Sequence, residues 1–214
     1  SILSASAISI APLITIANQS KELPKVVLLG DSIRIGYKPF VEKELQGNTL
    51  VWTPDENCRT SDNIIYNLNN WVKEQNPDLV HINAGLHDIR TLTCDSKPGE
   101  TIVKPAHYRD NLEIIFNWIQ QNVGCKIIWA TTTPVVDERI RARNGSFMRY
   151  DSDVQNINRI AKKVTRKYNV AVNDLYAFVC EHIGKKGIKK DGVHYTDEAS
   201  AKLAKQVAAI TKMN

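Results

Sequence analysis

The stretch "VVLLGDSIRIGY", Val26 to Tyr37, decides the fold of this chain. Four apolar residues lead directly into Gly-Asp-Ser, a pattern typical of a buried parallel strand that ends in a turn before a helix. Gly30 allows the chain to turn tightly there, which places Ser32 near the start of the helix. Ser32 or Asp31 then simply caps the helix, or the turn presents Ser32 as a nucleophile.

The rest of the chain repeats this alternation of short apolar strands and amphipathic helices. Strands are predicted at 25–30, 49–53, 78–85, 126–133 and 170–174, and helices at 37–46, 61–75, 107–122, 151–168 and 196–212, with Ser61 as a plausible cap of the second helix. This alternation predicts a three-layer α/β/α domain with a five-stranded parallel sheet, for which we expect the strand order 2-1-3-4-5. Ligands of such sheets bind beyond the carboxyl ends of the strands.

Length and charge narrow the classes of protein. The 214 residues suit one domain, and the hydrophobic and charged fractions of 43% and 24% are ordinary for a soluble globular protein. The net charge of +5 is spread along the chain among acidic residues, so we predict no nucleic-acid partner. One dense basic patch is either a solvated loop or a phosphate-binding site: Lys185, Lys186, Lys189 and Lys190.

The first 24 residues differ in composition from the domain predicted at 25–214. Residues 1–17 are apolar, uncharged and interrupted by proline, so we predict no stable membrane span, which needs about 20 residues. The segment is typical of the end of a secretory signal, with Ala5-Ser6-Ala7 as a cleavage pattern. We therefore expect an exported, periplasmic or secreted protein. The alternative is an apolar arm packed on a cytoplasmic domain.

The four cysteines contain no C-x-x-C pair, so a zinc site is not expected. An exported protein can form disulfides. Cys58 and Cys94 each follow a predicted strand at the same edge of the sheet, which makes them the candidate pair. Free buried thiols are equally plausible.

The segment "KKDGVHYTDEAS" (189–200) offers a base for Ser32. Asp191 and His194 are three residues apart, so one turn brings the carboxylate to one imidazole nitrogen and leaves the other to accept the serine proton. Gly192 relaxes the turn between them. The acidic residues that follow are typical of a helix start, so a structural role remains open.

The segment "HINAGLHDIR" (81–90) follows the third strand, beside the first strand in the predicted sheet. Gly85 and His87 lie where a donor can point at an oxyanion, and Asp88 can hold the loop by accepting backbone N–H groups. His81, inside the strand, is expected to be a hydrogen-bonded core residue. Three arginines are candidates for substrate binding or for bracing loops: Arg34, Arg59 and Arg90.

The chain resembles the GDSL or SGNH hydrolase superfamily. "GDSIRIGY" matches its first block and "DGVHYTDEAS" its last. The resemblance implies a flavodoxin-like fold and a carboxylic ester hydrolase that works through an acyl-enzyme. The resemblance further implies that Ser32 is the nucleophile, that His194 is the general base, and that Asp191 orients His194. Asp31 is then expected to stabilise the loop. The resemblance also implies that no metal or organic cofactor is required.

Two blocks depart from the family pattern. The third block usually reads G-x-N-D, whereas here His87 stands at the asparagine position, a variant that we interpret as a subtype. The second block usually supplies a glycine N–H, but "PDENCRTSDN" (54–63) contains no glycine. An N–H between Asn57 and Ser61 is expected to serve instead, and Arg59 is a candidate support for this loop.

The resemblance and the expected export suggest a small-molecule or glycan ester as substrate, and O-acetyl groups on a carbohydrate in particular. The polar, arginine-rich stretch 137–150 favours a sugar or an anionic group over a fatty chain, although it also reads as a solvated loop. Open alternatives with the same triad are a lysophospholipase or thioesterase and an acyltransferase. An alternative of another class is a non-catalytic anion- or glycan-binding module. The sequence leaves the oligomeric state undetermined.

Overall fold

The structure, a computed structural model, describes residues 22–213, so most of the N-terminal segment predicted at 1–24 lies outside the described residues. Five parallel strands form the sheet: β1 (Lys25–Leu29), β2 (Leu50–Trp52), β3 (Leu79–Ile82), β4 (Lys126–Ala130) and β5 (Ala171–Asn173). Their order is β2-β1-β3-β4-β5, with Val27 of β1 level with Trp52 and Val80. The predicted α/β fold and strand order are confirmed.

Helices cover the sheet: α1 (Ser32–Leu45), α2 (Ser61–Trp71), α3 (Pro105–Asn122), α4 (Asp137–Ala142), α5 (Asp151–Lys167), α6 (Leu175–Phe178) and α7 (Asp197–Met213). Short helical turns occur at Lys73–Gln75, Val179–Ile183 and Lys185–Gly187. Helix α1 packs against α7, and α3 packs against α2 and α5. These contacts bring the first and last motifs of the chain together.

Helix α1 begins at Ser32, five residues before the predicted start. Asp31 is its N-cap, with Oδ1 accepting from the Ile33 N–H (2.9 Å) and the main-chain carbonyl from the Ile35 N–H (3.1 Å). Pro39 lies inside the helix on an exposed position. An early arginine, a glycine and this proline masked the helical pattern, since none of the three contributes to a regular apolar stripe.

Helix α2 is capped by Thr60 and not by Ser61. The Thr60 hydroxyl accepts from the Asn63 N–H (3.4 Å), whereas Ser61 is the first helical residue and is buried. Helix α4 was not predicted, because its six residues are mostly charged and carry no apolar periodicity.

The core consists mainly of the apolar residues of the central strands and of the helix faces packed on them. His81 of β3 is buried there and its Nε2 lies 3.1 Å from Nδ2 of Asn173, which confirms it as a hydrogen-bonded core residue. Burial lowers the pKa of His81 to about 4, so the ring is neutral. Within residues 22–213, no helix has the length and apolar character needed to cross a bilayer.

The candidate Cys58–Cys94 disulfide is not formed, and both residues are free thiols. Cys58 is buried and its sulfur accepts a hydrogen bond from the Gly30 N–H (3.3 Å), while Cys94 is exposed. Burial raises the pKa of the Cys58 thiol. Cys58 therefore serves as a small core residue that ties two loops together.

Candidate active site

Ser32, His194 and Asp191 form a continuous hydrogen-bonded chain at the carboxyl edge of the sheet. The Ser32 Oγ lies 2.8 Å from His194 Nε2, and His194 Nδ1 lies 2.8 Å from Asp191 Oδ2. The His194 side chain is 42% exposed, so the imidazole is accessible from solvent. The structure thus brings together the three residues that the sequence nominated as nucleophile, base and orienter.

Two backbone hydrogen bonds, one within the turn and one from Val136, hold the turn that carries Asp191 and His194. The Lys189 N–H donates to the His194 carbonyl (2.6 Å), and Gly192 accepts from the Val136 N–H (2.8 Å). Gly192 has φ +79°, and a Cβ there would lie 2.7 Å from the Val136 carbonyl oxygen. Glycine is therefore required at this position by both backbone conformation and space.

Hydrogen bonds favour the charged form of Asp191. Its Oδ1 accepts from the backbone N–H groups of Val193 (2.8 Å) and His194 (2.9 Å), which leaves Oδ2 for the imidazole. Partial burial alone raises the pKa of Asp191, but these bonds and the His194 ring outweigh burial and hold the pKa below its ordinary value. A charged Asp191 fixes the His194 tautomer that carries its proton on Nδ1.

Ser32 is the first residue of a 14-residue helix, so its N–H lies among the free donors of a helix N-terminus. Asp31, at 0% exposure, uses one carboxylate oxygen as the helix cap, and the other is buried without a partner among the described residues. Asp31 thus shapes the turn, as expected. The helix N-terminus offers positive potential beside the Ser32 hydroxyl.

Arg34 has the loop-bracing role, the second of the two roles predicted for it, and not the substrate-binding role. It is 1% exposed, and its guanidinium donates to the carbonyl oxygens of Gly30 (3.3 Å), Pro54 (2.9 Å) and Glu56 (2.5 Å). A Cβ on Gly30 would lie 2.7 Å from the Arg34 Cβ, so the glycine makes room for this side chain. Arg34 therefore braces the loop after β2 against the serine turn.

Asp88 holds the loop after β3 against helix α2. Its Oδ1 accepts from both the N–H (3.0 Å) and the hydroxyl (2.5 Å) of Ser61, and Asn111 in turn donates to the Ser61 hydroxyl (2.8 Å). Burial raises the pKa of Asp88 to about 7, even though the Ser61 bonds act in the opposite direction. The expected role of Asp88 in loop organisation agrees with these contacts.

Gly85 begins the third block (residues 85–88) and lies against Thr132 and Ile157. A Cβ there would lie 2.0 Å from Thr132 Oγ1 and 2.7 Å from Ile157 Cδ1, so any side chain would displace the loop. Two residues later, His87 is half-buried, and its ring forms no hydrogen bond within the part of the chain that the structure describes. The His87 ring is therefore available to a ligand.

The second-block loop retains two unused N–H donors. Three others of residues 57–61 donate within the protein: Cys58 to the Gly30 carbonyl (3.1 Å), Arg59 to Asn57 Oδ1 (2.8 Å) and Ser61 to Asp88 Oδ1 (3.0 Å). Over residues 22–213, the N–H groups of Asn57 and Thr60 have no acceptor. They remain the candidates for the donor that the family draws from this block.

Arginines gather around His87. Burial lowers the pKa of the His87 ring below its ordinary value, and the Asp31 carboxylate opposes this effect. Three guanidinium groups lower the pKa further: Arg149, Arg90 and Arg59. Arg59 and Arg90 were predicted candidates, whereas Arg149 was not singled out within the stretch 137–150 that was predicted to favour a sugar or an anionic group. Arg149 lies between Met148 and Tyr150 after a polar loop. Its position between two large apolar residues was the sequence feature that could have indicated a buried arginine.

Other predicted features lie outside this cluster. The four lysines of the basic patch are exposed, as expected for a solvated loop, and Arg139 donates to the Lys185 carbonyl (3.0 Å) in that loop. Over the described range 22–213, no three or more His, Cys, Asp or Glu side chains are grouped so as to hold a metal ion.

The arrangement can support acyl transfer. A serine hydroxyl lies 2.8 Å from an imidazole nitrogen, the imidazole is oriented by a carboxylate, and the serine N–H belongs to a helix N-terminus. This is the combination of nucleophile, base and electrostatic stabilisation that cleaves carboxylic esters on several unrelated folds.

Solved structures share this fold. A lipase/acylhydrolase from Enterococcus faecalis is 22% identical, with 89% of this chain and 96% of that chain covered, at a TM-score of 0.72. An acetyl xylan esterase, AlAXEase, is 18% identical over 87% and 98% of the two chains (TM-score 0.66). A catalytic mutant of Axe2, an acetylxylan esterase from Geobacillus stearothermophilus, is 18% identical over 87% and 93% (TM-score 0.69).

No curated protein sequence matches the chain. The family model described as GDSL-like lipase/acylhydrolase matches residues 59–207, which is more than half of the chain. That span contains Asp88, Asp191 and His194 but begins after Ser32, so the nucleophile is nominated by its hydrogen bond to His194. The chain belongs to the GDSL-like lipase/acylhydrolase family and is a carboxylic ester hydrolase.

Proposed function

We propose that this ester hydrolase removes short acyl groups, acetyl above all, from a carbohydrate by means of a Ser32–His194–Asp191 triad. The observation that carries the proposal is the pair of 2.8 Å contacts that link the serine hydroxyl through the imidazole to the carboxylate. The 42% exposure of the His194 side chain supports an open site that a bulky polar alcohol can approach.

In the first half-reaction, Ser32 Oγ attacks the acyl carbonyl while His194 Nε2 takes the hydroxyl proton. The tetrahedral oxyanion accepts hydrogen bonds from the Ser32 N–H, from a second-block N–H and from the neutral His87 ring. Collapse expels the alcohol, which receives the proton from His194. Water then repeats the sequence on the acyl-enzyme and releases the acid. Charged Asp191 stabilises the imidazolium at each stage.

The choice of an acetylated carbohydrate rests on two lines of support. The polar groups near the nucleophile, His87 with Arg59, Arg90 and Arg149, suit a hydrophilic substrate better than a fatty chain. Structural neighbours named as acetyl xylan esterases share the fold, although at 18% identity. The export predicted from the composition of residues 1–17 is part of the same proposal.

The test compares hydrolysis of 4-nitrophenyl acetate, butyrate and octanoate, and of peracetylated glucose, by wild type and by Ser32→Ala. Ser152→Ala, at an exposed helical position, is the matched control. We expect acetate-selective activity in wild type and control, and a loss of at least about 10³-fold in Ser32→Ala. A preference for octanoate would instead favour a lysophospholipase or thioesterase.

If no ester is hydrolysed, labelling by a serine-directed organophosphonate distinguishes an inactive triad from an active enzyme that was given unsuitable substrates. Attack on phosphorus needs an activated nucleophile but no particular sugar. Labelling at Ser32 in wild type and its absence in His194→Ala are expected. If wild type is neither labelled nor active on any ester, the alternative of a non-catalytic binding module replaces the proposal.

A further inference from the structure

We propose that Arg59, Arg90 and Arg149, the arginine cluster, bind a carboxylate carried by the substrate close to its ester. The inference rests on the proposed function and names its substrate class: an anionic ester, such as an acetylated sugar acid. With acetyl as the acyl group, the carboxylate stands on the alcohol side of the ester; a carboxylate on the acyl side would mean that the acyl group is not acetyl. The chemistry of its recognition by guanidinium groups is the same in both cases.

Arg149 is a buried cation whose donors are not all used. It is 8% exposed, and its Nε donates to the carbonyl oxygen of Leu86 in the third-block loop. Within residues 22–213, its two terminal nitrogens form no hydrogen bond. A guanidinium removed from water is costly unless its donors are satisfied, so the open side of Arg149 is suited to an acceptor.

Arg90 also has a buried hydrogen-bond donor, its Nε, without a partner among the described residues. The central guanidinium carbons of Arg90 and Arg149 each lie 4.9 Å from the centroid of the Phe147 ring. The two guanidinium groups therefore contact the same ring, and their positive charges together create a local potential that favours an anion.

No carboxylate pairs directly with the arginine cluster within the described range, and Asp31 acts on it only from beyond ion-pair distance. None of the three arginines has a carboxylate within 4.0 Å among residues 22–213. Burial lowers the pKa of Arg149 to about 10 and the positive charges of Arg90 and Arg143 add to this, while Asp31 opposes them. Arg149 therefore stays charged at neutral pH. Asp31 already uses one oxygen as the cap of α1.

The cluster lies at the catalytic centre and not on a remote surface. Arg149 donates to the carbonyl oxygen of Leu86, the neighbour of His87, and Arg59 follows Cys58, whose N–H donates to the Gly30 carbonyl of the serine turn (3.1 Å). The charges of the three guanidinium groups and of Asp31 accordingly act on the His87 ring. Arg59 is exposed and adopts a left-handed backbone (φ 55°) in the second-block loop. An anion held by the cluster would therefore be attached to the same small molecule whose ester reaches Ser32.

The first test measures binding without turnover. Calorimetry compares 3-hydroxybenzoate with its neutral analogue 3-hydroxybenzamide on wild type, Arg90→Gln, Arg149→Lys and Arg59→Gly. Glycine tolerates the backbone of Arg59, which is exposed, so this variant guards against misfolding of the buried ones. Arg159→Gln, exposed on α5, removes the same charge elsewhere. We expect selective binding of the benzoate, weakened about tenfold or more in cluster variants only.

The second test compares kcat/KM for 3-acetoxybenzoate and 3-acetoxybenzamide, with monophenyl adipate and its amide as the acyl-side pair. One anionic ester is expected to be preferred about 10- to 100-fold over its amide, and cluster variants should lose this ratio while still cleaving the neutral ester. The pair that shows the preference identifies the side of the ester that carries the carboxylate.

The outcomes separate the two proposals. Cleavage of neutral and anionic esters at equal rates, with no arginine-dependent benzoate binding, overturns the anion site and leaves the hydrolase proposal intact. Arginine-dependent benzoate binding without cleavage of any ester overturns the proposed catalytic function and supports the anion site. If Arg159→Gln weakened benzoate binding as much as the cluster variants do, the effect would come from net charge alone. That result would overturn the assignment of the cluster.

Discussion

The Ser32 hydroxyl lies 2.8 Å from His194 Nε2, although 162 positions separate the two residues in the chain. The contact depends on the packing of α1 against α7, because Ser32 begins the first of these helices and His194 precedes the second. A parallel sheet places the ends of all its strands at one edge, which makes such distant loops neighbours. The catalytic contact is therefore a property of the whole fold.

Asp191→Asn is predicted to lower kcat on 4-nitrophenyl acetate by roughly 10³–10⁴-fold at neutral pH. The amide can still accept from the Val193 and His194 N–H groups through its oxygen, but its NH₂ group then faces His194 Nδ1. The imidazole must turn to the tautomer with its proton on Nε2, which cannot accept the Ser32 proton. Asp95→Asn, at an exposed position, is the control.

Thermal unfolding of the Asp191 variant should stay within a few degrees of wild type, because the turn keeps its backbone hydrogen bonds. An Asp191→Asn enzyme with more than about a tenth of wild-type kcat would contradict the assigned role.

His87→Ala is predicted to reduce kcat by about 10²–10³-fold, whereas His87→Asn retains most of the activity. The lowered pKa of His87 keeps its ring neutral and able to donate one hydrogen bond at neutral pH, and asparagine is the usual donor at this position of the family. The measurement is kcat for the three esters at pH 7. His107→Ala, an exposed histidine paired with Asp62, serves as control.

Equal losses in the alanine and asparagine variants would mean that the imidazole is needed for something other than donation. Equal retention in both would remove His87 from the oxyanion site.

The strands were predictable from local patterns, whereas the triad needed the resemblance of two short motifs to a known family. The β-branched run ending at Gly30-Asp31-Ser32 indicates a buried strand and an active edge, and the spacing of Asp191 and His194 fits one turn. The start of α1 was predicted too late because Asp31 caps the helix before any apolar stripe appears.

The arginine roles were not predictable in the same way. Arg34 and Arg90 are both arginines that follow a strand, yet three carbonyl oxygens occupy Arg34, while Arg90 stacks on Phe147. Their difference depends on loops distant in sequence. Arg149 was not singled out within the stretch 137–150, because that stretch reads as uniformly polar although its last three residues are buried.

Arg34→Met is predicted to lower the free energy of unfolding by about 2–4 kcal/mol. The change leaves the carbonyl oxygens of Gly30, Pro54 and Glu56 without their donor and disturbs the serine turn. Urea unfolding followed by tryptophan fluorescence measures the effect, with the exposed Arg166→Met as control. Unchanged stability with a raised KM would instead restore Arg34 as a substrate-binding residue.

Asp88→Asn is predicted to remove a pH-dependent loss of stability. Burial raises the pKa of Asp88 to about 7 in the folded protein, whereas the unfolded carboxyl ionises near pH 4. Between these values the folded state holds a proton that the unfolded state lacks, so the free energy of unfolding falls as the pH rises from about 4 to 7. The loss reaches up to about 4 kcal/mol, since each pKa unit corresponds to about 1.4 kcal/mol.

The variant keeps an acceptor for the Ser61 N–H and hydroxyl, and it resembles the protonated acid in charge. Urea unfolding of wild type and Asp88→Asn at pH 5 and pH 8 isolates the contribution, because the buried neutral His81 changes stability with pH equally in both proteins. Asp55→Asn, at an exposed carboxyl, should leave the wild-type pH dependence unchanged. If wild type and Asp88→Asn keep the same stability difference at both pH values, Asp88 does not titrate in this window, and the loop after β3 holds a charged carboxylate at every pH tested.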